Sequence, residues 1–123
     1  MNLRFPKSDV LRGRGTFKSV LDRGARTWQG SIGVCYAPSD INRWRMGISI
    51  GRAVGNAARR NRIKRLLREA FRLSRGTWPG GGDLVVLVKP HEPLPQAAYV
   101  EAMNVLVPKA VEKLRRKLDE ATP

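Results

Sequence analysis

The spacing of apolar residues along this chain alternates between two periods, and these periods predict its helices and strands. Between residues 56 and 74 apolar side chains recur at intervals of three and four, which is the spacing of an amphipathic helix. From Trp44 to Ile50 they recur at every second position, which predicts a half-buried strand. The continuous aliphatic run at 83–88 predicts a strand that is buried on both faces in the centre of a sheet.

The same patterns predict the elements on either side of this central region. Three apolar residues at helical spacing predict a short helix over about 15–23. The stretch 27–37 predicts one strand, and we expect it to form a hairpin with the strand at 44–50. Apolar anchors over 96–119 predict a C-terminal helix, and Pro108 within it predicts either a kink or two helices that meet there.

The predicted order is α-β-β-α-β-α, an α+β fold in a single domain that spans residues 1–123. The segments 1–13 and 119–123 show no regular apolar pattern or lie beyond the last anchor, so we expect them to be flexible. The helix at 56–74 connects the second predicted strand to the third, which makes these elements a candidate βαβ unit.

The helix at 56–74 carries dense positive charge opposite its apolar stripe, and only Glu69 interrupts the cations. Like charges four residues apart repel by a few tenths of a kcal/mol per pair, so we expect a negative partner to compensate for them. Arginine, which outnumbers lysine here, suits bidentate hydrogen bonding to phosphate. A solvated face that serves only solubility is the weaker alternative. The candidate polyanion-binding residues are Arg52, Asn56, Arg59, Arg60, Asn61, Arg62, Lys64, Arg65 and Arg68.

The composition of the whole chain supports a nucleic-acid partner. It contains 24 Lys and Arg residues against 10 Asp and Glu residues, a formal net charge of +14. Because no apolar stretch is long enough to span a membrane and the N-terminus has no signal-peptide pattern, we expect a cytoplasmic location and no membrane partner. The single cysteine, Cys35, excludes an internal disulfide, and we expect it to be a small buried residue.

No group of residues predicts a catalytic site or a metal site in the protein itself. The acidic residues are scattered, whereas a nuclease metal site needs clustered carboxylates. The single histidine, His91, lies between two prolines in a predicted connector, where we expect it to be solvated. Among the tryptophans, we expect Trp44 to pack on the sheet, and Trp28 and Trp78 are candidates for the surface.

The run 47–72, centred on the motif Arg60-Asn61-Arg62, resembles the signature of the bacterial ribonuclease P protein family. The first helix and the strands around 34–36 and 83–86 resemble the same family more weakly. Two positions depart from the family pattern, since Ala53 stands where the family carries a lysine and Leu21 where a second aromatic residue is frequent.

This resemblance implies a fold and a function. The fold is an α/β sandwich similar to the second domain of a ribosomal protein, with a left-handed βαβ crossover that is an exception to the usual right-handed rule. The partners are ribonuclease P RNA and precursor tRNA, and no obligate protein partner is implied. The RNA performs the Mg²⁺-dependent endonucleolytic removal of the 5′ leader and holds most of the Mg²⁺. The alternative is a ribosomal RNA-binding or ribosome-assembly protein that supports no cleavage.

Two RNA-binding surfaces follow as hypotheses. The cationic helix with Arg52 docks on the catalytic RNA, where Asn61 either contacts RNA or caps the local backbone. A cleft between the first helix and the sheet binds the single-stranded leader, with aromatic rings that stack on bases and cations that hold phosphates. Because Phe17 also belongs to the apolar set of its helix, a purely structural role for it stays open. The candidate leader-binding residues are Arg14, Phe17, Lys18 and Tyr36.

Overall fold

The computed structural model describes residues 9–121 of the chain, and within that range three helices pack on a four-stranded mixed sheet. The helices are α1 (Arg14–Arg23), α2 (Ala57–Ser74) and α3 (Gln96–Ala121). The strands are β1 (Ala25–Gln29), β2 (Ile32–Ala37), β3 (Trp44–Ile50) and β4 (Gly82–Val88). Short 3₁₀ turns at Arg52–Val54 and Arg75–Thr77 flank α2. The α+β class is therefore confirmed.

The strand order is β1-β2-β4-β3, which differs from the predicted hairpin in two ways. The single strand predicted over 27–37 is wrong, because a turn at Gly30, where φ is +59°, separates β1 from β2. The pairing of this region with β3 is also wrong, because β4 lies between β2 and β3. β4 pairs antiparallel with β2 and parallel with β3.

The candidate βαβ unit is confirmed as a connection between neighbouring parallel strands. α2 links β3 to β4, and these strands pair in register from Trp44 opposite Gly82 to Ile50 opposite Val88. The left hand of this crossover stays a prediction from the family resemblance. β4 is the central strand that its aliphatic sequence predicts, with Leu84 to Val86 fully buried.

Helices cover both faces of the sheet, and side chains alternate between these faces along each strand. On β2, Ile32 and Val34 pack in the main core with residues of α2 and α3. Cys35 points the other way and packs against Val20 of α1 in a smaller core. We call the two sides the α2/α3 face and the α1 face.

α2 forms as its sequence predicts. Asn56 is the N-cap residue, and its side-chain Oδ1 accepts a hydrogen bond of 2.9 Å from the backbone N–H of Arg59. Ile63, Leu67 and Phe71 are fully buried on the α2/α3 face. Burial of a side chain of this size contributes about 1.5–3 kcal/mol, so this stripe fixes the rotation of the helix and turns its cationic side outward.

α3 is one continuous helix, so the prediction of two helices that meet at Pro108 is wrong. Pro108 lies on the exposed side of α3, away from buried Leu106 and Val107. The proline ring therefore lies outside the core, and its cost falls on the backbone of α3, which loses one hydrogen bond and is crowded at the carbonyl one turn earlier. The helix continues to Ala121, past the predicted end at 119.

The N-terminal segment was expected to be irregular over 1–13, and residues 1–8 lie outside the described residues. Val10 forms an isolated parallel bridge with Met46. The backbone N–H of Leu11 donates to the carbonyl of Met46 at 3.0 Å, and the Leu11 side chain is buried. Residues 10–11 thus extend the sheet beside β3. Over 9–121 the structure contains no helix with the length and apolar character needed to cross a bilayer.

The tryptophans occupy three different environments. Trp44 is buried as predicted, and Trp28 is 42% exposed. Trp78 is buried, so its candidate place at the surface is wrong. Its ring packs edge-on against Trp44 and Phe71, and its indole N–H donates to Asn104 Oδ1 at 3.1 Å. The polar tip of this indole is satisfied by α3, which permits burial.

Candidate RNA interface

The outer face of α2 presents an arginine-rich surface to solvent. Asn61, Arg62, Arg65 and Arg68 are exposed, and Lys64 is half-buried beside them. Across residues 9–121 no carboxylate forms an ion pair with Arg62, Lys64, Arg65 or Arg68. Arg52, which is exposed in the turn before α2, likewise makes no ion pair in this part of the chain. We call Arg52, Arg62, Lys64, Arg65 and Arg68 the cationic surface.

The remaining cations near this surface have partners within the protein. Arg59 pairs with Glu92 at 3.1 Å, and the Nε of Arg60 donates to the carbonyl of Gly55 at 3.2 Å. Arg72 pairs with Glu69, and this hydrogen-bonded guanidinium lowers the pKa of Glu69. Arg59 and Arg60 therefore hold the loop and connector around the start of α2 as well as contributing charge.

The two asparagines of this region have different geometries. Asn56 caps α2, so its side-chain oxygen is engaged with the backbone of Arg59. Asn61 is the fifth residue of the helix and is exposed, so the alternative in which Asn61 caps the local backbone is wrong. Its amide points to solvent on the same helix as the cationic surface, where an RNA contact is sterically open.

An open cleft of about 740 Å³ lies between α1 and the sheet. Its lining residues are Gly13, Arg14, Phe17, Lys18, Leu21, Asp22, Arg26 and Ser49. Three of the four predicted leader-binding residues, Arg14, Phe17 and Lys18, therefore come together here. Lys18 Nζ lies 2.6 Å from Asp22 Oδ2, and this hydrogen bond raises the pKa of the lysine. We call this site the α1 cleft.

The position of Phe17 fits both of its predicted roles, the structural one and the RNA-binding one. Its ring is half-buried and covers Gly47 of β3, where an added Cβ would lie 2.6 Å from ring carbon Cε1. The same ring lines the α1 cleft, and it also lines a small cavity of about 140 Å³ that Lys64 and Arg68 border. The α1 cleft and the cationic surface therefore meet at Phe17, although the helices that supply them cover opposite faces of the sheet.

The fourth predicted leader-binding residue, Tyr36, does not belong to this cleft. It lies on the α2/α3 face, where it packs in the main core with its ring centroid 5.7 Å from that of Trp44. Burial raises the pKa of its phenol. Because Tyr36 is separated from Ile32 and Val34 by even numbers of positions, all three point to the same buried side. The prediction of a cleft shared by Phe17 and Tyr36 is therefore wrong, and Cys35 takes that place on the α1 face.

Arg26 and Trp28 of β1 lie on the α1 face and were not predicted as site residues. Arg26 lines the α1 cleft. Trp28 lies over Gly33, where an added Cβ would be 2.7 Å from the indole Cδ2. The missed signal was strand parity, because the register pairs Arg26 with Cys35 and Trp28 with Gly33 and so places all four on one face.

His91 is not the solvated loop residue that its sequence context predicts. Its Nε2 lies 2.8 Å from the buried Tyr99 hydroxyl and its Nδ1 lies 2.9 Å from the carbonyl of Lys89, so the ring ties the connector to α3. Cys35 is fully buried as predicted, and its thiol donates to the carbonyl of Val20. In the described part of the chain, no three His, Cys, Asp or Glu side chains are grouped so that they could hold a metal ion.

Comparisons with known proteins give the family. The family model described as Ribonuclease P matches residues 5–114. The ribonuclease P protein component of Dictyoglomus thermophilum is 34% identical over 103 residues, which cover 84% of this chain and 86% of the relative. That of Oleidesulfovibrio alaskensis is 42% identical over 83 residues, covering 65% and 66%. The structure of the RNase P protein from Thermotoga maritima superimposes on this one with a TM-score of 0.71 and a sequence identity of 30%. The match covers 78% of this chain and 93% of that one. The chain described here therefore belongs to the ribonuclease P protein family.

Proposed function

We propose that this chain is the protein subunit of a ribonuclease P holoenzyme, in which it binds the catalytic RNA and the 5′ leader of precursor tRNA. Family membership supports the identity of the holoenzyme. The observation that supports two different RNA ligands is that two different surfaces, one cationic and one a cleft, meet at Phe17. A subunit of this kind works where precursor tRNA is made, so we assign it to the cytoplasm.

The cationic surface docks on the catalytic RNA in this proposal. Its guanidinium groups have no carboxylate partner within the described chain, so phosphates satisfy charges that the free protein leaves in water. Asn61 adds an uncharged hydrogen-bonding group on the same helix. If these five cations and Arg60 neutralise about six phosphates, the logarithm of the affinity falls with the logarithm of salt concentration with a slope of about −5.

The α1 cleft holds the single-stranded leader. Phe17 offers one ring face to a base, while Arg14 and Lys18 supply cations at the same cleft. Stacking of a base on an aromatic ring is worth roughly 1–3 kcal/mol and tolerates any base, which suits leaders of varied sequence. Since Lys64 and Arg68 line a small cavity together with Phe17, the leader and the catalytic RNA approach each other there in this proposal.

Mg²⁺, the cofactor that the family implies, is held mainly by RNA in this proposal. The described residues provide no cluster of ligands for a metal ion, so they do not fit a protein-held catalytic metal site. The protein contributes positive charge and a stacking ring, and cleavage of the phosphodiester bond belongs to the RNA.

Reconstitution tests this proposal. The purified protein is mixed with a bacterial ribonuclease P RNA at low Mg²⁺, and cleavage of a precursor tRNA that carries a 5′ leader is followed. We expect cleavage at the mature 5′ end only when both components are present. The absence of stimulation, despite tight and salt-sensitive RNA binding, would overturn the proposal and favour a ribosomal RNA-binding protein without a cleavage role.

A further inference from the structure

An exposed tryptophan occupies the α1 face outside the α1 cleft. Trp28 is 42% exposed, whereas Trp44 and Trp78 are 6% and 7% exposed. One side of its indole covers Gly33, whose missing side chain lets the ring lie close to the strand backbone. An aromatic ring laid flat on a sheet and open on its other side has the form of a stacking platform for bases.

A lysine covers the open side of this ring. Lys89 Nζ lies 4.2 Å from the centroid of the Trp28 ring. The backbone N–H of Lys89 donates to the carbonyl of Ser31 at 2.8 Å, which fixes the base of the side chain beside the β1–β2 turn. No carboxylate of residues 9–121 forms an ion pair with this ammonium group. The cation is therefore held by a weak interaction with the ring and is available to a phosphate.

The Trp28 platform continues the surface of the α1 cleft. The strand register places Trp28, Gly33, Leu87 and Ser49 in one row across the sheet, and Ser49 also lines the cleft. Gly47, which Phe17 covers, is three strand spacings and two residues away from Trp28. Neighbouring strands are about 4.8 Å apart and residues along a strand about 3.4 Å apart, so the backbone positions of Trp28 and Gly47 are roughly 16 Å apart. A single strand bridges such a gap with a few nucleotides.

We propose that Trp28 and Lys89 form a second contact for the single-stranded leader. A base replaces the ammonium group on the open face of the indole, and the displaced Lys89 pairs with a neighbouring phosphate. Arg26, two residues before Trp28 on the same face, lines the cleft at the end nearest this contact on β1. The inference rests on the proposed function, because it needs a leader that already lies along the α1 face.

Leader-length dependence tests this contact in the reconstituted holoenzyme. Affinity for precursor tRNA is measured while the leader is lengthened one nucleotide at a time, with the parent protein and Trp28→Leu. We expect equal affinities for short leaders and a loss of about tenfold with Trp28→Leu once the leader reaches the indole. Trp28→Phe, which keeps a ring, should recover most of the loss. Lys89→Ala should weaken binding at the same leader lengths, whereas Lys109→Ala on the outside of α3 should not.

Each outcome separates this contact from the function on which it rests. If the parent holoenzyme gains no affinity from any leader, the proposed leader binding fails. If the parent gains affinity and folded Trp28→Leu matches it at every length, only the Trp28 contact is overturned. Equal binding by Trp28→Phe and Trp28→Leu, both weaker than the parent, would also overturn it, because a planar ring would then not be what binds.

Fluorescence gives an independent readout. Trp28 is the one exposed tryptophan of the three in the sequence, so quenching by a single-stranded RNA oligomer reports mainly on this ring. We expect quenching in the parent protein and little in Trp28→Phe. Equal quenching in the two proteins would contradict base stacking at Trp28.

Discussion

The ring of Phe17 lies directly on the α-carbon of Gly47, so that α1 and β3 are joined where the α1 cleft meets the cationic surface. The glycine is required by this approach, because a methyl group at position 47 would overlap the ring. The same contact explains how a half-buried aromatic residue can both support the fold and offer part of its ring to a ligand.

Gly47→Ala should therefore displace Phe17 and destabilise the protein. Overpacking of this kind costs about 1–3 kcal/mol, and the loss is measured by denaturant unfolding. Gly51→Ala is the matched control, since an added Cβ there has no atom within 4 Å and φ is −96°. Equal stability of the two variants would show that the Phe17–Gly47 contact is not a constraint on the fold.

The Arg45–Asp83 ion pair across β3 and β4 should contribute more to stability than the surface pairs. Two hydrogen bonds of 2.8 Å join the groups, and the carboxylate side chain is only 3% exposed. Arg45→Met leaves this carboxylate without its partner, a change that costs about 3–5 kcal/mol in fully buried pairs and less here because Arg45 is partly exposed. Asp22→Asn, which breaks the exposed pair with Lys18, should cost much less, because water and salt screen charges at the surface. Similar losses in thermal unfolding would contradict this ranking.

Charge reversal on the cationic surface should weaken binding of the catalytic RNA. Arg65→Glu removes one phosphate contact and adds repulsion, so we expect lower affinity and a salt dependence whose slope is shallower by about 1. Lys109→Glu makes the same charge change on the exposed side of α3 and serves as the control. Filter binding over a range of salt concentrations measures both quantities. An unchanged affinity for Arg65→Glu would remove α2 from the RNA interface.

The Cys35 thiol should make stability fall at alkaline pH. Burial raises its pKa in the folded state, so the unfolded chain loses this proton at a lower pH than the folded one. The stabilisation is fully present below the unfolded pKa of about 8.5 and is lost as pH rises through the folded value. Melting temperatures of the parent should therefore fall more steeply above about pH 8.5 than those of Cys35→Ala. Parallel curves for the two proteins would contradict this linkage.

The sequence predicts α2 and its cap region well because the information there is local. The apolar stripe, the residue Asn56 before it and the cationic outer face all follow from neighbours along one helix. The central position of β4 also follows from its aliphatic sequence. These features depend on spacing within a segment, which the sequence displays directly.

Strand pairing and face assignment were less predictable because they depend on distant segments. Nothing local to β2 or β3 indicates that β4 inserts between them. Tyr36 was assigned to the cleft by its aromatic character, yet its parity with buried Ile32 and Val34 places it in the core. Burial of Trp78 likewise depends on Asn104, which is 26 residues away along the chain and accepts its indole N–H.

Site-directed cleavage from tethered iron tests the two-surface arrangement most directly. Single cysteines at exposed Ser49, in the α1 cleft, and at exposed Ala58, on α2, carry an iron chelate, while buried native Cys35 stays unlabelled. In the holoenzyme with precursor tRNA, we expect the Ser49→Cys tether to cut the leader and the Ala58→Cys tether to cut the catalytic RNA. A Lys109→Cys tether should cut the leader least. Leader cleavage from position 109 or 58, with none from position 49, would contradict the account.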